Sequence, residues 1–145
     1  MQVIRLVRGE EQAQHSPADR PPPPPPISQD AVFAARAEIG ALHVSDAMDR
    51  YMADLVQTTR NPEAIDPDLA RWIEIGGSPR ASLALDRAGW AHALLMGRDY
   101  VDPLDIRAIA PDVFRHRPTL SFEAQGDGVS ANDVIARLLD RVALP

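Results

Sequence analysis

The sequence predicts an all-α fold, a compact bundle of about five helices that follows a proline-rich linker. Three observations lead to this prediction. Apolar residues recur at helical spacing in long segments, most clearly between residues 48 and 59. Residues that favour helix starts, serine or an Asp-Pro pair, stand directly before these segments. The connections between the segments are mostly short.

The first 26 residues are predicted to be a linker, so that the helical domain covers residues 27–145. Residues 2–8 suffice for one or two amphipathic turns, and residues 9–20 are polar. Residues 21–26 are all proline, a run that can adopt only an extended polyproline II rod. We interpret this rod as a stiff spacer; the alternative is a ligand for a proline-binding module.

The first predicted helix covers residues 28–42 and the second covers residues 45–59, each with its first serine as N-cap. The second helix carries one apolar stripe whose members are spaced three and four residues apart. The stripe comprises Met48, Tyr51, Met52, Leu55, Val56 and Thr59. Residues 61–77 are predicted to be a loop that contains a short extended piece at residues 71–75.

The third predicted helix covers residues 78–96 and begins with an unusual order of residues. Ser78 is a good N-cap, and Pro79 suits the first helical position. Arg80 then falls beside the positive end of the helix dipole, where a cation costs about 0.3–1 kcal/mol. A guanidinium and a helix N-terminus together suit a phosphate group. The alternative is that Arg80 simply points to solvent.

Two further helices are predicted. The fourth begins at Asp102-Pro103, and Pro111 either kinks it or begins a separate turn. Residues 118–122 are short and extended. Ser130 caps the last helix, whose apolar residues again recur at helical spacing. They are Val134, Ile135, Leu138, Leu139 and Val142.

Composition excludes several kinds of protein. A net charge of −6 argues against a nucleic-acid-binding protein. The chain has no cysteine, which excludes disulfides and thiolate metal sites. All 15 basic residues are arginine, so the chain has neither the lysine of a P-loop nor one for Schiff-base chemistry. Without a membrane helix or a signal-peptide core, the sequence predicts a cytoplasmic protein.

No set of residues suits catalysis by this chain alone. His43, His92 and His116 lack metal-ligand spacing, so no metal site is predicted, and His92 is interpreted as a packed or half-exposed helix residue. The carboxylates are not paired for acid–base chemistry. The basic cluster at residues 115–117 either compensates a helix dipole or contacts an acidic partner subunit.

Several motifs together resemble the C-terminal lid of MoxR-family AAA+ ATPases, over residues 28–145. One is the Gly-Gly-Ser-Pro-Arg-Ala segment that begins at Gly76, which is specific only together with the others. The others are residues 43–60, residues 97–103 and residues 110–117.

The resemblance implies that Arg80 is the sensor 2 residue, which contacts the terminal phosphates of ATP, with Ser78 and Pro79 forming the helix N-terminus that positions it. The family's Walker A, Walker B, sensor 1 and arginine-finger segments have no counterpart in this sequence. ATP and Mg²⁺ would therefore be held by an ATPase core, with this chain as a fragment of a longer protein. Residues 1–8 would then be the tail of the last core element.

The implied partners are the AAA+ core of the same protein, the neighbouring subunits of a hexameric ring, and proteins with von Willebrand factor A domains. The implied role is chaperone-like maturation of protein complexes. Neither a nucleic acid nor a membrane is an expected partner. An alternative of another class is a free-standing helical interaction module that displays residues 21–26 as a ligand.

Overall fold

A computed structural model of the chain describes residues 25–145. The chain divides into two units, Met1–Val32 and Phe33–Pro145. Helix α1 covers Gln29–Ala41 and begins in the first unit, where the Oγ of Ser28 accepts a hydrogen bond from the N–H of Ala31 at 3.1 Å. The predicted turns at residues 2–8 and most of the proline run lie outside the described residues.

The second unit contains the remaining helices and one small sheet. The elements in chain order are α2 (Asp46–Arg60), a 3-10 turn (Pro62–Ala64), α3 (Pro67–Trp72), β1 (Ile73–Ile75), α4 (Arg80–Leu95), α5 (Pro103–Phe114), β2 (Thr119–Leu120), α6 (Phe122–Gly126) and α7 (Ala131–Arg141). None of the helices between residues 25 and 145 combines the length and the hydrophobicity that crossing a bilayer requires.

The predicted fold class is confirmed, and the structure adds two short helices to the five that were located from the sequence. Residues 25–145 form seven α-helices rather than five. The two additional helices, α3 and α6, have six and five residues and lie where the sequence predicted a loop and a connection. Helices this short lack the repeated apolar spacing from which the longer ones were predicted.

The core forms where the predicted stripes of α2 and α7 meet. All six stripe residues of α2 are buried, as are the five predicted apolar residues at positions 134–142. Ser45 and Ser130 cap the two helices as predicted, with their Oγ atoms accepting from the N–H groups of Met48 and Asp133. Helices α4 and α5 complete the core and pack on each other more extensively than any other pair of elements.

Helix α5 begins at the predicted Asp102-Pro103 pair and runs through Pro111 without a break to Phe114. Asp102 and Asp105 form a capping box, in which each side chain accepts a backbone N–H at the helix start. Of the two predicted outcomes at Pro111, the structure therefore shows one continuous helix, with no separate turn beginning at that residue.

The two strands join the segment before α4 to the segment after α5. β1 and β2 pair antiparallel, with Ile73 opposite Leu120 and a register irregularity between Ile73 and Ile75. Beyond the strands, the N–H of Ser121 donates to the carbonyl of Trp72 at 2.9 Å. The ribbon closes the base of the α4–α5 pair.

Helix α3 is held by Asp66, a carboxylate that is almost fully buried at 1% relative exposure. Its Oδ1 caps α3 by accepting from the N–H groups of Asp68 and Leu69 at 2.9 and 3.2 Å. Its Oδ2 accepts from Arg137 at 2.9 Å and from Arg141 at 2.5 Å, both on α7. One side chain thus ties α3 to the opposite end of the domain's sequence.

Candidate functional site

The segment that begins at Gly76 lies directly before α4 and puts Arg80 at the first position of that helix. Pro79 already has helical dihedral angles, φ −55° and ψ −22°. The N–H of Ala81 donates to the carbonyl of Ser78 at 2.8 Å, and the N–H of Ser82 donates to the carbonyl of Pro79 at 3.1 Å. These tight i+3 bonds close the first turn.

The prediction that the Ser78 side chain caps the helix is wrong. No side-chain hydrogen bond caps α4, and the carbonyl of Ser78 rather than its hydroxyl accepts from the first turn. Pro79 already has helical angles, so the first turn closes on the carbonyl of Ser78, and the Ser78 hydroxyl makes no hydrogen bond among the described residues. Ser78 and Pro79 are both exposed beside Arg80.

Arg80 is exposed, and within residues 25–145 its side chain forms neither an ion pair nor a hydrogen bond. A shallow groove of about 400 Å³ precedes it, lined by Arg60, Glu74, Ile75, Gly76, Gly77, Ser78 and Pro79. The N–H groups of Ala81 and Ser82 are engaged, whereas the guanidinium of Arg80 is a charged donor that this turn presents to an anion.

The groove's glycines pack tightly on the end of α2. A Cβ at Gly76 would overlap the backbone carbonyl of Thr59, so the close approach requires glycine. The N–H of Gly77 donates to the Oγ1 of Thr59 at 2.9 Å, and this Oγ1 in turn donates to the carbonyl of Val56 at 2.6 Å. The loop before α4 is therefore held by α2.

The buried face of α4 fixes which of its residues point outward. Its buried residues are Ala81, Leu85, Gly89 and Ala93, which recur every four positions. Arg80, Leu83 and Arg87 are exposed. Packing against α5 thus places Arg80 and Arg87 on the solvent side of the same helix, two turns apart.

The structure does not bring the histidines together. His92 is half-buried, as predicted, and its Nδ1 lies 2.6 Å from Oδ1 of Asp105, which is fully buried. Arg98 pairs with the same oxygen. These contacts tie the end of α4 to the start of α5, and no group of residues in the described range is arranged to hold a metal ion.

The basic cluster at residues 115–117 has local partners. Arg115 lies 3.2 Å from Asp112 and donates to Asn132 at 3.3 Å. Arg117 donates to the carbonyl of Val113 at 2.8 Å. Arg115 and Arg117 thus both contact the last turn of α5, as expected for compensation of its dipole, and Arg115 also contacts α7.

Sequence reasoning missed the role of Thr59. The spacing of apolar residues predicts that Thr59 lies on the buried stripe of α2, where its side chain is 1% exposed, but it does not predict the hydrogen bonds of the hydroxyl. The signal was present, because a buried hydroxyl requires a hydrogen-bond partner. The partner, Gly77, lies in the loop before α4, and the spacing of residues in the sequence does not indicate that this loop contacts α2.

Residues 69–138 match the AAA lid domain family. Chaperone MoxR1 of Mycobacterium tuberculosis is 44% identical over 103 residues, which make up 70% of this chain and 27% of that protein. Protein MoxR of Paracoccus denitrificans is 43% identical over 94 residues, 61% of this chain and 27% of that protein. The crystal structure of a candidate ATPase from Cytophaga hutchinsonii superposes with a TM-score of 0.78 at 34% identity, over 82% of this chain and 36% of that one.

The chain contains a lid domain of the MoxR-family AAA+ type. The chain spans 27% of the length of each of the two curated relatives above, and 34% of a third, YeaC of Bacillus subtilis. Ser78, Pro79 and Arg80 lie inside the range that matches the AAA lid domain family, whereas Thr59 lies before it.

Proposed function

We propose that this MoxR-family lid domain closes over ATP at a subunit interface of an AAA+ ATPase, with Arg80 as its sensor 2 residue. The observation that supports the proposal is the state of Arg80 itself. It is exposed, it has no ion-pair partner among residues 25–145, and it stands at the start of a long helix beside an open groove. A guanidinium in this position suits charge that develops on a transferred phosphoryl group.

The ATPase core would supply everything else that the nucleotide needs. The chain's basic residues are all arginine, so the P-loop lysine and the Mg²⁺ site would belong to the core of the same protein. Within the chain we assign the lid to residues 27–145 and the linker to residues 1–26. Ser78 and Pro79 would shape the turn that presents Arg80, through backbone geometry rather than a side-chain cap.

The wider proposal follows from the relatives. Because one of them is named as a chaperone, we propose that ATP-driven closure is coupled to chaperone-like maturation of protein complexes. The assembly would be a hexameric ring in the cytoplasm, in which each lid contacts the neighbouring subunit. Proteins with von Willebrand factor A domains are the proposed partners.

Replacement of Arg80 tests the sensor role. In the assembly of this chain with its ATPase core, Arg80→Ala should lower kcat for ATP by about 10- to 100-fold, because it removes a cation that stabilises transition-state charge. Steady-state ATP turnover and nucleotide-dependent assembly are the measurements.

Arg87→Ala is the matched control, since Arg87 is exposed on the same helix two turns further from its N-terminus. Its turnover should stay within about twofold of the unsubstituted protein. Equal turnover in the Arg80→Ala and Arg87→Ala proteins would show that Arg80 is not a sensor.

A further inference from the structure

Thr59 connects two elements through a single hydroxyl group. The side chain lies in the last turn of α2 and is buried. Its Oγ1 donates to the carbonyl of Val56 at 2.6 Å within its own helix, and accepts from the N–H of Gly77 at 2.9 Å. Both hydrogen bonds are buried, where an unpaired N–H or hydroxyl is costly.

The segment around Gly77 has little freedom to shift. Gly76 contacts the backbone of Thr59 and Arg60 so closely that no side chain fits there. A Cβ at Gly77 would lie 3.3 Å from Oγ1 of Thr59 and 3.6 Å from the ring of Phe114. The loop is therefore held by the end of α2, and the ring of Phe114 at the end of α5 lies near Gly77.

The docked loop leads directly into the first turn of α4. Gly77 is followed by Ser78, whose carbonyl accepts the first hydrogen bond of that turn, and by Pro79, which is already helical. Few free dihedral angles remain between Gly77 and Arg80, since proline fixes its own φ and restricts the residue before it. A displacement of Gly77 must therefore carry the start of α4 with it.

We propose that Thr59 is a positioning residue for Arg80: its hydroxyl fixes the Gly77 amide and thereby sets where the Arg80 guanidinium lies against the phosphates of the nucleotide. The inference rests on the proposed sensor role of Arg80. Thr59 itself does not touch the nucleotide and acts through the loop and the first turn of α4.

Three substitutions separate the hydroxyl from the shape of the side chain. Thr59→Val keeps the branched shape and removes the hydroxyl, whereas Thr59→Ser keeps the hydroxyl and removes the methyl. Thr58→Val is the matched control, because Thr58 is the adjacent residue and also buried, and its hydroxyl has no hydrogen bond within residues 25–145. If the Thr59→Val protein fails to fold, Thr59→Ala serves as the second hydroxyl-free variant.

The first measurement is hydrogen exchange at the Gly77 amide in the 145-residue chain. Thr59→Val should accelerate this exchange by about tenfold or more, because the N–H loses its acceptor. Thr59→Ser and Thr58→Val should keep it within about threefold of the unsubstituted chain. Unchanged exchange in Thr59→Val would overturn the proposal.

The second measurement is ATP turnover in the assembly with the ATPase core. Thr59→Val should lower kcat by about tenfold with a smaller change in KM, and Thr59→Ser should restore it. In an Arg80→Ala background, Thr59→Val should have no further effect, since both changes remove the same interaction. Multiplying effects would mean that Thr59 does not act through Arg80, and would overturn the proposal.

The two measurements distinguish the positioning role of Thr59 from the sensor role of Arg80 on which it rests. If Arg80→Ala leaves turnover unchanged, the sensor role fails, and the positioning of Arg80 for catalysis fails with it. Exchange at Gly77 then still reports whether Thr59 docks the loop. If Arg80→Ala lowers turnover and Thr59→Val does not, only the role of Thr59 is overturned.

Discussion

At the scale of single residues, the environments of two groups of arginines differ in a way that bears on function. Arg137 and Arg141 share the buried carboxylate of Asp66, and Arg137 also lies 2.6 Å from Asp68. Arg80 has no such partner within the described residues. Arg137 and Arg141 thus stabilise the fold through a neighbouring carboxylate, whereas Arg80, like Arg60 and Arg87, carries a charge without an ion-pair partner in the described residues.

Removal of the Asp66 charge should destabilise the domain. Asp66→Asn removes a charged acceptor from Arg137 and Arg141, and should cost about 1.5–3 kcal/mol of the free energy of unfolding. Asp68→Asn is the control: Asp68 is partly exposed and pairs with Arg137 alone, so its loss should cost less than about 1 kcal/mol. Urea unfolding of the three chains measures both, and equal midpoints for the two variants would contradict the prediction.

The same carboxylate should make stability depend on acid. Burial alone would raise the pKa of Asp66, but hydrogen bonds from Arg137, Arg141 and the N–H groups of Leu69 and Asp68 outweigh burial and hold the pKa well below its ordinary value. A lowered pKa in the folded state contributes stability that is complete above the unfolded-state pKa of about 4 and is lost below it. Between about pH 5 and pH 2.5, which roughly bracket that pKa, the melting temperature of the unsubstituted chain should therefore fall more than that of Asp66→Asn. An equal fall in the two proteins would contradict the prediction.

At the scale of elements, the long helices could be predicted because each contains an N-terminal start signal and apolar residues at helical spacing within its own sequence. The stripe of α2 and the apolar face of α7 follow from spacing alone, and both are buried as predicted. The site was predicted less completely. Arg80 was placed at a helix start correctly, but the hydroxyl that accepts from the loop before that start belongs to Thr59, on a different helix.

The short helices were missed for a physical reason. Asp66-Pro67 is the same kind of start signal as Asp102-Pro103, but α3 has only six residues, of which Leu69 alone is fully buried. Its start is fixed by Asp66, whose arginine partners come from α7. A helix that is stabilised by residues about 70 positions away in the sequence cannot be predicted from the spacing of its own apolar residues.

The end of α4 permits a test of one predicted element boundary. Gly97 has a φ of +72°, and the N–H of Arg98 donates to the carbonyl of Ala93 at 3.0 Å, which forms a Schellman ending. Gly97→Ala should destabilise the domain by about 1–2 kcal/mol, because alanine resists a left-handed conformation. At Gly126, by contrast, no atom lies within 4 Å of where a Cβ would be, so Gly126→Ala should stabilise the domain by about 0.4–1 kcal/mol. Thermal melts compare them, and shifts of the same sign would contradict this reading.

At the scale of the whole molecule, we expect the chain alone to bind ATP with a Kd no tighter than about 1 mM, or not at all. One guanidinium and a helix start provide few of the contacts that a nucleotide needs, and the chain has no lysine to cradle phosphates. Calorimetric titration of ATP into the 145-residue chain is the measurement, with Arg80→Ala as the control for binding elsewhere. A micromolar Kd that disappears in Arg80→Ala would show that the lid holds the nucleotide by itself.

The β1–β2 ribbon has a mechanical consequence. The chain leaves for α4 and returns from α5 at nearly the same place, since Ile75 lies opposite Thr119. The helical hairpin of α4 and α5 thus has both of its ends joined by the β1–β2 ribbon. Just beyond the ribbon, the hydroxyl of Thr59 bonds the loop that leads into α4. Because both ends of the hairpin are joined there and its two helices pack extensively on each other, we expect a force on Arg80 to reach α4 and α5 together.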